Sequence, residues 1–266
     1  MAFAQDFHRP IRGAVATSGV SDRVTFLRKT YAHLGFALLA WAALTLGMMK
    51  FATAQSFKFG MWALGGQLNW FMVLILFMVV GWGAERMARS ESSRGIQYGG
   101  LALAVVAQAV LLQPLLWVLV VKFGETGLTI KQLLAAGAEG HLMMSAKAST
   151  ILGQAALLTG AIFGGLTAVV FLTKKDFSFM RGALTVASFG FLGLIAASLL
   201  FGFQMGMLFT MFGILLMAGY ILYQTSAVMK DFPPSHYVAA SLMLFSTVAT
   251  LFWYVLQLLM SLNSRD

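Results

Sequence analysis

The 266-residue sequence contains no cysteine, only 4 prolines and few charges. Without thiols it has no disulfide framework, no thiolate metal site and no cysteine nucleophile. Charged residues make up 10% of the chain, where a soluble domain carries about 25%. The hydrophobic share is 59% and the mean hydropathy +0.83, with apolar residues gathered in runs. Too few charges remain to cover a water-soluble globule, so the chain reads as an integral membrane protein whose solvent is lipid. Enzyme signatures are missing as well. There is no GxSxG elbow, no HExxH pair and no Walker A loop, and the 4 histidines lie far apart. These absences predict a non-enzymatic protein that needs neither cofactor nor metal.

Seven segments approach the roughly 20 apolar residues that span a bilayer. They are Tyr31–Met49, Trp70–Met87, Ile96–Val121, Ser149–Thr173, Gly182–Phe203, Met207–Met229 and Val238–Leu262. Lipid offers no partners to backbone amides, and the runs are too long for barrel strands, so all seven are predicted helices. The fold class is therefore an all-α polytopic membrane protein with seven transmembrane helices. Residues 1–30 read as a polar tail without the apolar core of a secretory signal. Residues 31–262 form the membrane domain and 263–266 a short C-terminal tail. Pro114 is expected to kink or divide the third helix, and the residues around Gln204 to form a tight hairpin.

The net charge of +9 reflects 18 Lys and Arg against 9 Asp and Glu. Nucleic acid is one reading of such an excess, but here the distribution fits topology better. Counting by loop from the N-terminus, one side holds 12 basic residues and the other 6, which together are the 18 of the whole chain. By the positive-inside rule the N-terminus is expected in the cytoplasm and the C-terminus on the opposite side. The longest connection, Lys122–Ala148, then lies outside, where Ile130, Leu133 and Leu134 have the spacing of a short amphipathic helix on the membrane surface.

Ionisable groups within a bilayer are costly and so mark function. The centres of all seven segments lack Asp, Glu, Lys and Arg. Glu85, Lys122, Lys147, Lys174 and Lys230 sit at segment ends, where snorkelling or headgroup contact explains them, and His33 near an interface reads as structural. Uncharged polar residues are more informative. In the last segment Ser246, Thr247, Thr250, Tyr254 and Gln257 recur at helical steps and share a face. Tyr220, Tyr223, Gln224 and Thr225 lie in the sixth. Two readings stay open: interhelical hydrogen bonds, or a hydrated polar seam between the last two helices. Two GxxxG steps, Gly160 with Gly164 and Gly95 with Gly99, predict close internal helix packing.

Thr173-Lys174-Lys175-Asp176-Phe177-Ser178-Phe179 is the most distinctive polar segment, and it resembles the loop signature of the Bax inhibitor-1 superfamily. Phe26–Tyr31 resembles the stretch leading into that family's first helix, and Tyr220–Ser226 its sixth-helix motif. The ending is similar to the bacterial YccA branch. The resemblance implies a bundle around a central C-terminal helix, in the inner (plasma) membrane of a bacterium. Some members are pH-sensitive calcium leaks that use an aspartate on each of the last two helices. Those positions fall here on Gln224 and on Thr247, or Ser246 if the register slips, and none is acidic, so the dyad does not carry over. The YccA branch implies instead a partner of the membrane-bound AAA protease FtsH, modulating membrane-protein quality control or stress survival. An ion channel or transporter running along the polar seam is the alternative. No nucleic-acid partner is expected, the lipid bilayer is the one certain environment, and the sequence leaves oligomeric state open.

Overall fold

The computed structural model describes residues 14–124, 130–202 and 206–264. Expectations that involve Arg9, Arg12, Gln204, Arg265 and Asp266, or the side chains of Ile130, Lys131 and Leu133, lie outside the described residues. The elements are α1 (Val20–Phe51), α2 (Thr53–Leu64), α3 (Gln67–Ala88), α4 (Arg94–Lys122), α5 (Ile130–Glu139), α6 (Ala146–Thr173), α7 (Met180–Phe201), α8 (Met207–Lys230) and α9 (Tyr237–Asn263). Seven of them, all except the short α2 and α5, are long and apolar enough to cross a membrane. The protein is an all-α polytopic membrane protein.

Helix α1 begins at Val20, well before the apolar run. Its 32 residues extend about 48 Å at 1.5 Å per residue, against about 30 Å of hydrocarbon. The polar first turns therefore stand in the headgroup region, where water satisfies their side chains and Asp22 faces the positive helix end. Ahead of them, Val15 is fully buried and its N–H donates to the Phe232 carbonyl at 2.8 Å, fastening this segment to the turn after α8.

Helix α9 packs against α1, α3, α4, α6 and α8, and Leu244, Phe245, Leu251 and Leu256 are fully buried along it. The C-terminal helix is thus central, but it shares the interior with α4, which is enclosed over a similar share of its length. Helix α7 sits at the periphery against α8. In lipid no hydrophobic force pulls helices together, so dispersion and interhelical hydrogen bonds select the arrangement. One such bond runs from the buried Ser241 hydroxyl to the Thr30 carbonyl at 3.1 Å, joining α9 to α1.

Two expectations are corrected by the packing. Of the kink or division expected at Pro114, division does not occur: α4 runs continuously through it. The segment is braced from outside, because Gly60 of α2 lies so close that a Cβ there would sit 3.4 Å from the Pro114 Cα and 3.0 Å from the Trp117 ring. Of the two GxxxG steps, Gly95 with Gly99 does reach a neighbour, since a Cβ on Gly99 would lie 3.1 Å from the Met87 Cε of α3; Gly160 with Gly164 does not. A Cβ on Gly160 or Gly164 would meet nothing within 4 Å, and Gly160 lines an open groove with Leu38, Trp41 and Leu112 rather than a tight crossing. The tight crossing is made by Gly100, where a Cβ would lie 2.5 Å from the Ala84 carbonyl oxygen and 2.7 Å from the Ala88 nitrogen. Spacing alone marks pairs of small residues; which face of the helix meets a neighbour decides which glycine matters.

Helices α2 and α5 were not both legible. The amphipathic helix foreseen after Lys122 is α5, and it packs against α2 rather than standing alone on the surface, with Gly137 pressed on the Phe57 ring. Helix α2 has no expectation behind it. It positions a buried polar network at one end of the bundle. Ser56 Oγ donates to Gln113 Oε1 at 2.6 Å, and Trp117 Nε1 donates to Ser56 Oγ at 2.8 Å. Gln113 Nε2 then donates to the Ala109 carbonyl at 3.1 Å and to the Thr45 carbonyl at 3.3 Å. Three helices are joined in a region where water cannot substitute.

Candidate functional site

The loop that follows α6 shows how its polar residues fold. Thr173 closes the helix by donating from its hydroxyl to the Val169 carbonyl at 2.7 Å. Lys174 then turns the chain in the left-handed region at φ 53°, uncommon without glycine. Asp176 follows, and its Oδ1 accepts the Ser178 N–H at 2.9 Å, an Asx turn that leads Phe179 into α7. The other carboxylate oxygen, Oδ2, pairs with Lys230 Nζ at 3.0 Å. Ser226 of α8 bridges the two: it accepts the Phe177 N–H at 3.2 Å and donates to Asp176 Oδ1 at 3.4 Å. The motif residues therefore form a clasp that holds the α6–α7 loop on the end of α8. Lys175 and Phe179 remain exposed.

This placement corrects the reading of two ends. Lys230 is an ion-pair partner rather than a headgroup anchor, and Glu85 pairs with Arg89 at 2.7 Å one turn along. Partial burial alone would push the Asp176 carboxyl up. The Ser178 hydrogen bonds and the Lys230 ammonium outweigh it and hold the group at about 2. Next to it, burial and the Asp176 charge push the Asp231 carboxyl above its ordinary value, with Lys230 and Arg181 opposing.

A group with a depressed pKa in the folded state contributes stability above its unfolded value, near 3.9, and loses it as pH falls through the folded value. The clasp is therefore expected to stay closed from neutral pH down to about 4 and to open between roughly 4 and 2. Since the chain has no native cysteine, a nitroxide on Phe179→Cys reports this cleanly. Its spectrum should be more restricted down to pH about 4 than near 2, and Asp176→Asn should give the more mobile spectrum throughout. A spectrum indifferent to both changes would show that the ion pair does not hold the loop.

Deeper in the bundle, Thr247 Oγ1 of α9 donates to Gln224 Oε1 of α8 at 2.8 Å, both side chains buried. These two are hydrogen-bonded to each other; of the other seam residues, Tyr220, Tyr223 and Tyr254 share one apolar cluster with Leu184 and Phe191 instead of forming a polar seam. Tyr220 turns toward α7 and shares a hydrogen bond of 2.8 Å with Ser188. Tyr223 packs beside the Leu184–Phe191 cluster, with its own helix neighbour Tyr220. Thr250 donates back to the Ser246 carbonyl of its own helix at 2.8 Å. Tyr254 is buried in an aromatic cluster with Phe191 and Phe209, its ring against Gly213. Gln257, half-buried, lies beyond them toward the end of α9.

Sequence reasoning missed Gln113, Ser56 and Trp117, and it placed Ser226 in a motif without its role in the clasp. A glutamine inside an otherwise apolar run, as Gln113 is, was the available signal. Nothing local marks Ser56, whose partners are more than 50 residues away. Among the described residues no group of three or more His, Asp or Glu is placed to hold a metal ion.

A protein-family sequence model described as "Inhibitor of apoptosis-promoting Bax1" matches residues 126–264, which include the clasp and the Gln224–Thr247 pair. Bax inhibitor 1 of Schizosaccharomyces pombe is 35% identical over 121 residues, covering 44% of this chain and 44% of that protein. Protein lifeguard 4 of Mus musculus is 33% identical over 114 residues, 42% and 48% of the two chains. An uncharacterized membrane protein of Vibrio cholerae is 31% identical over 121 residues, 44% and 52%. The chain thus spans about half the length of the curated relatives it matches. No solved structure matches it.

Proposed function

The chain belongs to the Bax inhibitor-1 family, and from that membership we propose that it is a non-enzymatic regulator in the bacterial inner membrane. Its role in this reading is to modulate membrane-protein quality control together with a membrane-bound AAA protease of the FtsH type, or stress survival more broadly. The N-terminal ends of α1, α4 and α9 face the cytoplasm in this reading, on the side with the basic excess. The observation that carries it is the Gln224–Thr247 hydrogen bond. Where calcium-leaking relatives are expected to carry two carboxylates, this chain has a buried, neutral pair. Calcium sites draw on several oxygens, usually with carboxylates among them. An uncharged pair whose hydrogen bond is already made offers neither the charge nor the shared proton that would gate a pore.

The competing reading is an ion leak past the same pair. Reconstituted protein is expected to pass no calcium or protons above the level of empty liposomes between pH 5 and 8, and to co-purify with the protease from membranes. A pH-gated calcium flux that disappears in Gln224→Leu would overturn the regulator reading. The same variant should lower stability only slightly, by about 0.6 kcal/mol, the average for a hydrogen bond between membrane helices.

A further inference from the structure

We propose that the groove between α1 and α4 binds one acyl chain of an anionic glycerophospholipid, with the lipid phosphate held at the Lys29–His33–Tyr98–Arg94 end. The groove has a volume of about 640 Å³ and runs along α1 from His33 to Leu44. That distance is about 16 Å at the helical rise, half of the roughly 30 Å hydrocarbon and so one leaflet deep. Its depth comes from small side chains, Ala32, Ala37 and Ala40 on one wall and Ala102 on the other. Nothing else in the described chain fills it, and its shape suits an extended apolar chain entering from the interface.

The polar end is built rather than incidental. His33 Nδ1 lies 2.7 Å from the Lys29 carbonyl, which only accepts, so that nitrogen carries the proton. Its Nε2 is 3.2 Å from the Tyr98 hydroxyl, which is itself 3.2 Å from the Tyr237 hydroxyl. The His33 ring lies 5.6 Å from that of Tyr98 and 5.1 Å from that of Tyr237. Three helices thus fix one aromatic cluster at the level where tyrosines favour the membrane interface.

Two cations flank the cluster. Lys29 reaches over the Tyr237 ring at 5.3 Å, and Arg94 precedes Tyr98 by one helical turn on the same face. Both are exposed, and neither has a carboxylate partner within 4 Å among the described residues. Their charge is left for something outside the protein. Basic sites between helices at a membrane surface recognise anionic headgroups, with about 1 kcal/mol from each Lys or Arg. A zwitterionic lipid fits the groove without answering the charge, and a soluble phosphate answers the charge without filling the groove.

The test is lipid binding to the purified, detergent-solubilised chain, followed by native mass spectrometry. The probes are dioleoylphosphatidylglycerol, dioleoylphosphatidylcholine and free glycerol phosphate. Phosphatidylglycerol is expected to bind at least tenfold more tightly than phosphatidylcholine, and glycerol phosphate not measurably. Lys29→Gln and Arg94→Gln should each weaken phosphatidylglycerol about fivefold and leave phosphatidylcholine unchanged. Ala102→Phe, an exposed position on the groove wall, should weaken both lipids; a matching thermal unfolding curve would show that it still folds, and if it does not, Ala40→Phe blocks the groove from the other wall. Equal affinity for the two lipids would overturn the proposal. So would retention of phosphatidylglycerol by folded, groove-filled protein, or binding of glycerol phosphate as tight as that of the lipid.

Discussion

Gly100→Ala is expected to destabilise the bundle by about 3 kcal/mol, the upper end of the usual overpacking penalty. The added Cβ would lie 2.5 Å from a backbone oxygen and 2.7 Å from a backbone nitrogen of α3. A side chain can rotate away from such a clash; two helical backbones cannot. Helices α3 and α4 must separate, and buried Ala84 and Ala88 lose their contacts with them. The comparison that isolates this cause is Gly160→Ala, at an exposed helical position with nothing within 4 Å. There the same methyl group meets no obstacle, and helix propensity predicts a gain of up to about 1 kcal/mol. Thermal unfolding in detergent should therefore move in opposite directions for the two variants. Movement in the same direction would show that backbone crowding at Gly100 is not what limits the α3–α4 crossing.

Gln113→Leu is expected to cost about 1–2 kcal/mol, between the penalty for an unsatisfied buried group and the weaker average for membrane helices. The leucine removes the acceptor of the Ser56 hydroxyl and the donor to the Thr45 carbonyl, neither of which has water to turn to. Ser56→Ala should cost a similar amount by stranding the Trp117 indole N–H. Because the residues act through one network, the double variant should cost clearly less than the sum of the two. Strict additivity would mean that the hydrogen bonds do not act as a unit. The Trp117 fluorescence should shift in Ser56→Ala, which removes the acceptor of its N–H, and less in Gln113→Leu, which leaves that acceptor in place.

The two variants also mark where the sequence stopped being informative. Crossing helices could be placed because hydrocarbon imposes a length and a composition on each one separately. The ends were less legible: α1 extends into a polar stretch because helix formation does not stop where the lipid does. Helix α2, whose 12 residues include Thr53, Gln55, Ser56 and Lys58, lies below the length and hydropathy that mark a span. The loop motif was visible as a pattern, whereas its clasp was not, because Ser226 and Lys230 lie about 50 residues further on. Gln224 and Thr247 were singled out by position on their helices, and their contact depends on how α8 and α9 are rotated toward each other.

The sequence by itself determined the class of this protein, since a chain with so few charges and seven long apolar runs has one solvent in which it can fold. The placement of charge was legible there too, with the centres of the crossing segments free of charged residues and Glu85 and the basic residues at their ends or in the loops. The tertiary structure decided which polar groups are paired, which glycine is crowded, and which alanines open a groove beside two unanswered cations. The reason is that lipid acts on each helix separately, through length and hydropathy, while pairing and crowding depend on the rotation of one helix against another, a quantity that no single segment contains.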